Sequence, residues 1–143
     1  MTAVGSLRRR DETGSLALEM AMLAPCILLI FALIFAYGRV AQVHGVLDSG
    51  TRDAARTATR AQSYGDARTQ ARQVVAEAVT GAPTACQDNL QVSVTHNFTP
   101  GEPITVTATC HYGLSDVLPG APGSVTATSS FTSMLDPNHG ITP

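Results

Sequence analysis

An apolar block near the N-terminus dominates the hydropathy pattern of this 143-residue chain. From Met20 to Tyr37 no residue is charged, and as a helix this run is about 27 Å long, close to the roughly 30 Å of a bilayer's hydrocarbon core. The pattern predicts one transmembrane helix over residues 15–38. Pro25 removes a backbone hydrogen bond near its start, so either the helix kinks there or it tolerates the proline.

Basic residues are distributed unequally around this block. Arg8, Arg9 and Arg10 precede it, whereas only Arg39 follows it closely. By the positive-inside bias, residues 1–14 form a cytoplasmic basic leader and everything beyond the helix lies outside. The protein is therefore expected to be a single-pass protein of the cytoplasmic membrane.

The helical pattern continues past the membrane over residues 39–80, which are rich in alanine. Gly45 and the pair Ser49-Gly50 predict bends within it, and Gly65 marks a candidate later break. Asp48 and Arg52 have the spacing of a helical ion pair. Arginines recur at intervals of four, which indicates either a surface that contacts anionic lipid headgroups or an acidic neighbouring subunit, or a solvated helix face. They are Arg52, Arg56, Arg60, Arg68 and Arg72.

The pattern changes to a period of two over residues 86–134, which predicts a small antiparallel β module. Three runs, beginning near Leu90, Ile104 and Val125, alternate apolar residues with Thr and Ser. Thr99 to Glu102 form the predicted first turn, and parity requires a loop of three or five residues. Residues 135–143 are expected to be a flexible tail. The fold class is therefore α+β: a long N-terminal helix followed by a small sheet.

Three cysteines divide between the two regions. Cys26 lies in the membrane segment and is expected to act as a small apolar residue. Cys86 and Cys110 lie on the exported side, where oxidation is permitted, and we predict a disulfide between them, with two free thiols as the alternative. The bridge is expected to fold the segment before the first strand onto the edge of the sheet.

Composition argues against several functions. A net charge of −2 with 14% charged residues gives no field that favours nucleic acid. The histidines lack metal-ligand spacing, and neither a Gly-x-Ser-x-Gly turn nor a phosphate-binding glycine loop occurs. We therefore expect no enzyme, cofactor, metal site or small-molecule substrate. The histidines are His44, His96, His111 and His139.

The residues ahead of the apolar block resemble the processing site of type IV prepilins. Gly14 is followed five residues later by Glu19 at the mouth of the apolar helix. With Pro25, Gly38-Arg39 and the Ala/Arg-rich run from Asp53 to Ala58, the segment is similar to the TadE-like branch of the tight-adherence (Tad) pilus system. The resemblance implies a minor pilin or pseudopilin, whose partners are a prepilin peptidase, other pilin or pilus-assembly subunits and membrane lipid.

The same resemblance assigns roles to three residues. The peptidase would cut between Gly14 and Ser15 and create an α-amino group about 6 Å along the helix from Glu19. A carboxylate in lipid is costly unless it is paired, so Glu19 is expected to pair with its own amine or with that of a neighbouring subunit. The second pairing would set the axial register of subunits in a filament.

Other interpretations of the N-terminal stretch stay open. Ala36-Tyr37-Gly38 fits the cleavage site of an ordinary secretory signal. Alternatively, the helix is an uncleaved signal anchor that carries a ligand-binding surface domain. As the alternative to pairing with an amine, Glu19 lies in the headgroup region and stabilises the helix N-terminus through the helix dipole.

Overall fold

The computed structural model describes residues 8–95 and 97–138, and for residues 8–15 it describes the backbone alone. His96, His139 and the predicted tail beyond residue 138 lie outside the described residues. The chain divides after Tyr37 into two compact units. The α+β class is confirmed: the described chain holds three α-helices and one three-stranded antiparallel sheet.

Helix α1 extends over Arg8–Ala58 and contributes to both units. Up to Tyr37 nearly all of its described side chains are exposed. Beyond Gly38 it buries one face at helical spacing, which includes Val43, Leu47 and Ala54. Helix α1 continues through Gly45 and Ser49-Gly50 without a stop at either site, and the bends there stay predictions.

The predicted continuous helix over residues 39–80 is interrupted after Ala58. A tight turn follows, with Arg60 N donating to Thr57 O at 3.0 Å, and helix α2 begins at Tyr64 and ends at Ala78. Ser63 caps α2: its Oγ accepts from Asp66 N at 3.2 Å and donates to Asp66 Oδ2 at 2.8 Å. Because this cap starts the helix, Gly65 lies inside its first turn and breaks nothing.

Gly50 has a packing role. A Cβ added at Gly50 would lie 2.9 Å from Cβ of Ala78 in α2, whereas one added at Gly45 would have nothing within 4 Å. Only a glycine lets the two helix backbones approach this closely. The residue that the sequence assigns to a bend is therefore the contact point of a helix pair.

The sheet has the order β1-β2-β3. Its strands are Gln91–Val94, Pro103–Gly113 and Ser124–Met134. Even-numbered residues of β2 from Ile104 to Tyr112 are buried, and Ala127 and Ser129 of β3 face the same side, which confirms the predicted alternation. This inner face and the helices enclose the core of the second unit.

The first hairpin differs from the prediction. The register pairs Val92 with Ala108, so facing positions sum to an even number as parity requires. However, strand pairing stops at Val94↔Val106, with one further backbone bond from Thr95 N to Thr105 O at 3.0 Å. The predicted loop of three or five residues is wrong, because β1 is only four residues long and the connection is correspondingly longer.

A disulfide joins Cys86 and Cys110, as predicted, with a Cα–Cα distance of 4.9 Å. Cys86 lies in the short helix α3, Thr84–Asp88, which the sequence did not predict. Cys110 lies on the inner face of β2, the central strand, so the predicted attachment to the sheet edge is wrong. The bridge instead fixes α3 over the middle of the sheet.

Leu135 lies in the segment that the sequence assigns to the tail, yet it is buried. Its backbone N–H donates to Glu102 O at 3.1 Å, and its carbonyl accepts from Gly101 N at 3.1 Å. These bonds extend the contact between β2 and β3 past the end of the strand. The module therefore includes at least one residue more than its predicted boundary at 134.

Candidate functional site

The predicted cleavage position lies inside α1. The backbone of Gly14 and Ser15 is helical, because α1 begins at Arg8. A peptide bond in a helix is not extended for a protease, so cutting after Gly14 requires local unwinding. Glycine makes a helix interior less stable by about 1 kcal/mol relative to alanine, which makes unwinding easier at this position than at its neighbours.

Glu19 lies one helical turn beyond Ser15. Its side chain is exposed, and its neighbours Leu18 and Met20 are exposed apolar residues. An α-amino group created at Ser15 would begin the helix four residues before this carboxylate, at a rise of about 6 Å. Residues four apart lie on one helix face, which is the spacing that an intrachain ion pair needs.

From Met20 to Tyr37, directly after Glu19, helix α1 is apolar on every side. Exposed fractions of its large apolar side chains run from 46% at Ile27 to 78% at Tyr37. Among the described residues, α1 alone is long and apolar enough to cross a membrane, with a mean hydropathy of 2.5 in its most apolar stretch. Such a surface needs lipid or other protein around it.

Pro25 and Cys26 lie within this apolar part. The helix continues through Pro25, and the kink at that residue stays a prediction. Cys26 is a free, exposed cysteine among the apolar side chains.

A buried polar contact fixes the second part of α1 to the sheet. Thr51 Oγ1 lies 2.9 Å from Ser129 Oγ, and Ser129 Oγ donates to Asp48 Oδ1. Thr51 is fully buried, and its hydroxyl also lies 3.0 Å from Leu47 O. Buried hydroxyls with partners orient the elements that carry them. No local pattern in the sequence predicts this contact, because its partners are about 80 residues apart.

Arg52 packs on the same strand. Its guanidinium carbon lies 5.3 Å from the centre of the Phe131 ring, a distance at which a cation and a ring attract each other. The sequence predicts a pair between Asp48 and Arg52, but the structure directs both side chains to β3. Cross-element contacts therefore replace the predicted helical ion pair.

The predicted arginine stripe is divided by the fold. Arg52 and Arg56 lie on α1, Arg60 in the connection, and Arg68 and Arg72 on α2. The interruption after Ala58 ends the regular spacing of four, so the five side chains do not share one helix face. Arg68 and Arg72 remain one turn apart on the exposed side of α2.

The outer face of the sheet is polar, as its alternation predicts. Hydroxyls of Thr105 and Thr132 lie 2.8 Å apart, and Nδ1 of His111 lies 2.8 Å from Oγ1 of Thr126. Among the described side chains, those of residues 16–95 and 97–138, no group of His, Cys, Asp and Glu is placed to hold a metal ion. The His111 ring instead takes part in a hydrogen bond between β2 and β3.

On the inner face of the sheet, Tyr112 carries a buried polar group without a partner in the described chain. Its hydroxyl is buried and has no hydrogen-bond partner among the described residues. Burial raises the pKa of this hydroxyl above its usual value of 10.0. The group lies in the second unit, outside the apolar part of α1, and its consequence is for stability at alkaline pH.

A comparison with protein families finds a match in the segment that contains Gly14, Glu19 and the apolar part of α1. Residues 14–56 match the family described as TadE-like protein. This segment, about a third of the chain, is similar to that family, and we call it the TadE-like segment. The match begins at Gly14, includes Ser15, Glu19 and Pro25, and ends two residues before α1 does. The match is consistent with a protein of the Tad pilus system.

The TadE-like segment does not include the sheet, the disulfide or α2. No curated protein matches the chain. No solved structure matches it either.

Proposed function

We propose that this protein is a minor pilin or pseudopilin that takes part in assembly of a Tad pilus. The observation that carries the proposal is the TadE-like match over residues 14–56, together with the exposed apolar surface of α1 within that match. Along this surface no residue from Met20 to Tyr37 is charged, so it needs an apolar environment on every side. Lipid before assembly and helices of other pilin subunits after assembly are the partners that suit it.

The proposed mechanism begins in the cytoplasmic membrane. The basic leader, residues 1–14, stays on the cytoplasmic side because of Arg8, Arg9 and Arg10. A prepilin peptidase cuts between Gly14 and Ser15, and the apolar part of α1 keeps the mature protein in the membrane. The second unit, with its disulfide, lies outside, where cysteines are oxidised.

Glu19 then guides lateral packing. In hydrocarbon its carboxylate needs a partner, and the new amine at Ser15 of a neighbouring subunit provides a charge of opposite sign. Pairing occurs at one axial offset, so it selects the register in which two helices pack. For this packing, the other residues of the apolar part of α1 need only be apolar. No catalytic role, cofactor or small-molecule substrate belongs to this proposal.

The N-terminal residue of the membrane-bound protein tests the cleavage. We expect the mature chain to begin at Ser15, and Gly14→Leu to leave it uncut. An intact Met1 would favour the alternative, an uncleaved signal anchor that carries a surface domain. A start at Arg39 would favour an ordinary secretory signal.

Glu19→Ala tests the register role. We expect the variant to insert and to be processed, but to be lost from sheared pilus fractions, because an uncharged residue cannot select the offset. Glu12→Ala is the matched control: it also removes one carboxylate, but from the leader that cleavage discards. Normal amounts of the Glu19 variant in pili would show that the carboxylate does not set the register.

A further inference from the structure

A polar patch lies where β1 and β2 meet on the outer face of the sheet. The register sets Gln91 opposite Thr109 and Ser93 opposite Thr107. Directly opposite side chains are about 5 Å apart, and alternate residues along a strand about 7 Å apart. The four side chains thus form a two-by-two array of amide and hydroxyl groups.

Arg72 of α2 extends this array past the sheet edge. It lines the same open groove of about 360 Å³ as Gln91, Ser93, Thr107 and Thr109. A second groove, lined by Gly65, Arg68, Thr69 and Arg72, meets the first at Arg72. Arg72 can line both grooves because β1 is an edge strand of four residues and α2 packs beside it. We call the two grooves together the arginine groove.

The charges in the arginine groove are uncompensated. Neither Arg68 nor Arg72 pairs through its side chain with any other described residue, and the lining of both grooves contains no carboxylate. On α2 itself, Asp66 accepts from Ser63 and Glu77 from Gln73. Two guanidinium groups one turn apart are thus available to an anion from outside.

We propose that the arginine groove binds an acidic polysaccharide that carries carboxylates. The guanidinium groups bind the carboxylates in a bidentate manner, while the amide of Gln91 and the hydroxyls of Ser93 and Thr107 donate to and accept from sugar hydroxyls. The groove is open to solvent along the lining of both parts, which suits a chain polymer. Its apolar lining residues, Leu90 and Val92, are half-buried and buried, so they offer little surface for an acyl chain.

This site is independent of Glu19 and of pilus assembly. It lies entirely within the second unit, so binding requires only that this unit is folded. Failure of the proposed function would therefore leave the binding site intact, and absence of binding would leave the proposed function unaffected.

Binding of the purified full chain, in a neutral detergent, to immobilised polygalacturonate tests the proposal. We expect the wild type to bind polygalacturonate and not uncharged dextran. Arg68→Gln with Arg72→Gln should weaken binding at least about tenfold, because two charge-assisted contacts are lost. Ser93→Ala with Thr107→Val should weaken it less.

The matched control is Arg56→Gln with Arg60→Gln, which removes the same charge from two exposed arginines outside the groove. We expect its affinity to stay within about twofold of wild type, since net charge alone gives only weak, screened attraction. Equal weakening by both pairs would overturn the proposal, as would binding to phosphatidylglycerol vesicles but not to polygalacturonate. Arg72→Lys, which keeps the charge and the fold, should bind with intermediate affinity.

Discussion

The two parts of helix α1 differ in what covers their side chains. Leu29, in the apolar part, is 64% exposed, whereas Leu47, further along the same helix, is fully buried. Both are leucines in regular α-helix. Helical propensity and hydrophobicity are therefore equal at the two positions, and only the covering differs: other residues of the second unit enclose Leu47, whereas Leu29 is left exposed.

One helix thus serves two purposes along its length. The second part carries polar residues between its buried positions, including Asp48 and Arg52, which contact β3. The first part has no such residues from Met20 to Tyr37. A helix that is apolar on one face fits a globular core, and one that is apolar all round needs a membrane or a bundle of helices.

The largest expected effect comes from shortening the buried leucine. Leu47→Ala should lower the free energy of unfolding of the second unit by about 2–5 kcal/mol, because it leaves a cavity in the core. Leu29→Ala should leave it unchanged. Urea unfolding of the full chain in detergent, followed by near-ultraviolet circular dichroism, measures both. Equal losses would show that the apolar part of α1 also belongs to the core.

Substituting two glycines in the second part of α1, Gly50 and Gly45, should change the free energy of unfolding by smaller amounts and in opposite directions. Gly50→Ala should destabilise the unit by about 1–3 kcal/mol, because its methyl group would overlap Ala78. Gly45→Ala, in open space on the same helix, should stabilise it by up to about 1 kcal/mol. Midpoints of the same urea transition report both. A stabilising effect at Gly50 would contradict close packing of α1 on α2.

The smallest effect concerns Tyr112 at alkaline pH. Burial raises the pKa of its hydroxyl in the folded state, so above about pH 10 the unfolded chain loses this proton first. The folded state then binds more protons, and stability falls as pH rises. Tyr112→Phe should flatten this fall, and at pH 7 it should be neutral or stabilising by up to about 1 kcal/mol.

Urea unfolding at pH 8 and at pH 10.5 measures this change for wild type and variant. Tyr37→Phe, in the exposed part of α1, is the control and should leave the wild-type pH dependence in place. An unchanged slope in the Tyr112 variant would mean that another group causes the alkaline loss.

Much of this fold can be predicted from patterns among residues that are close together in sequence. The apolar block, the alternation in β2 and β3 and the TadE-like segment each depend on residues close together in sequence, and the sequence alone predicts them. The Cys86–Cys110 bridge was also predictable, because only two cysteines lie outside the apolar block. Cleavage after Gly14 and the pairing of Glu19 remain predictions.

Tertiary structure decided the rest, because it brings together residues that are distant in sequence. Gly50 becomes a helix contact only when α2 folds back on α1, and Ser129 meets Asp48 and Thr51 from about 80 residues away. Cys110 lies at the centre of the sheet because β3 pairs with β2 on the side opposite β1. The arginine groove likewise exists only because β1 is short and α2 lies beside it, which no spacing along the chain encodes.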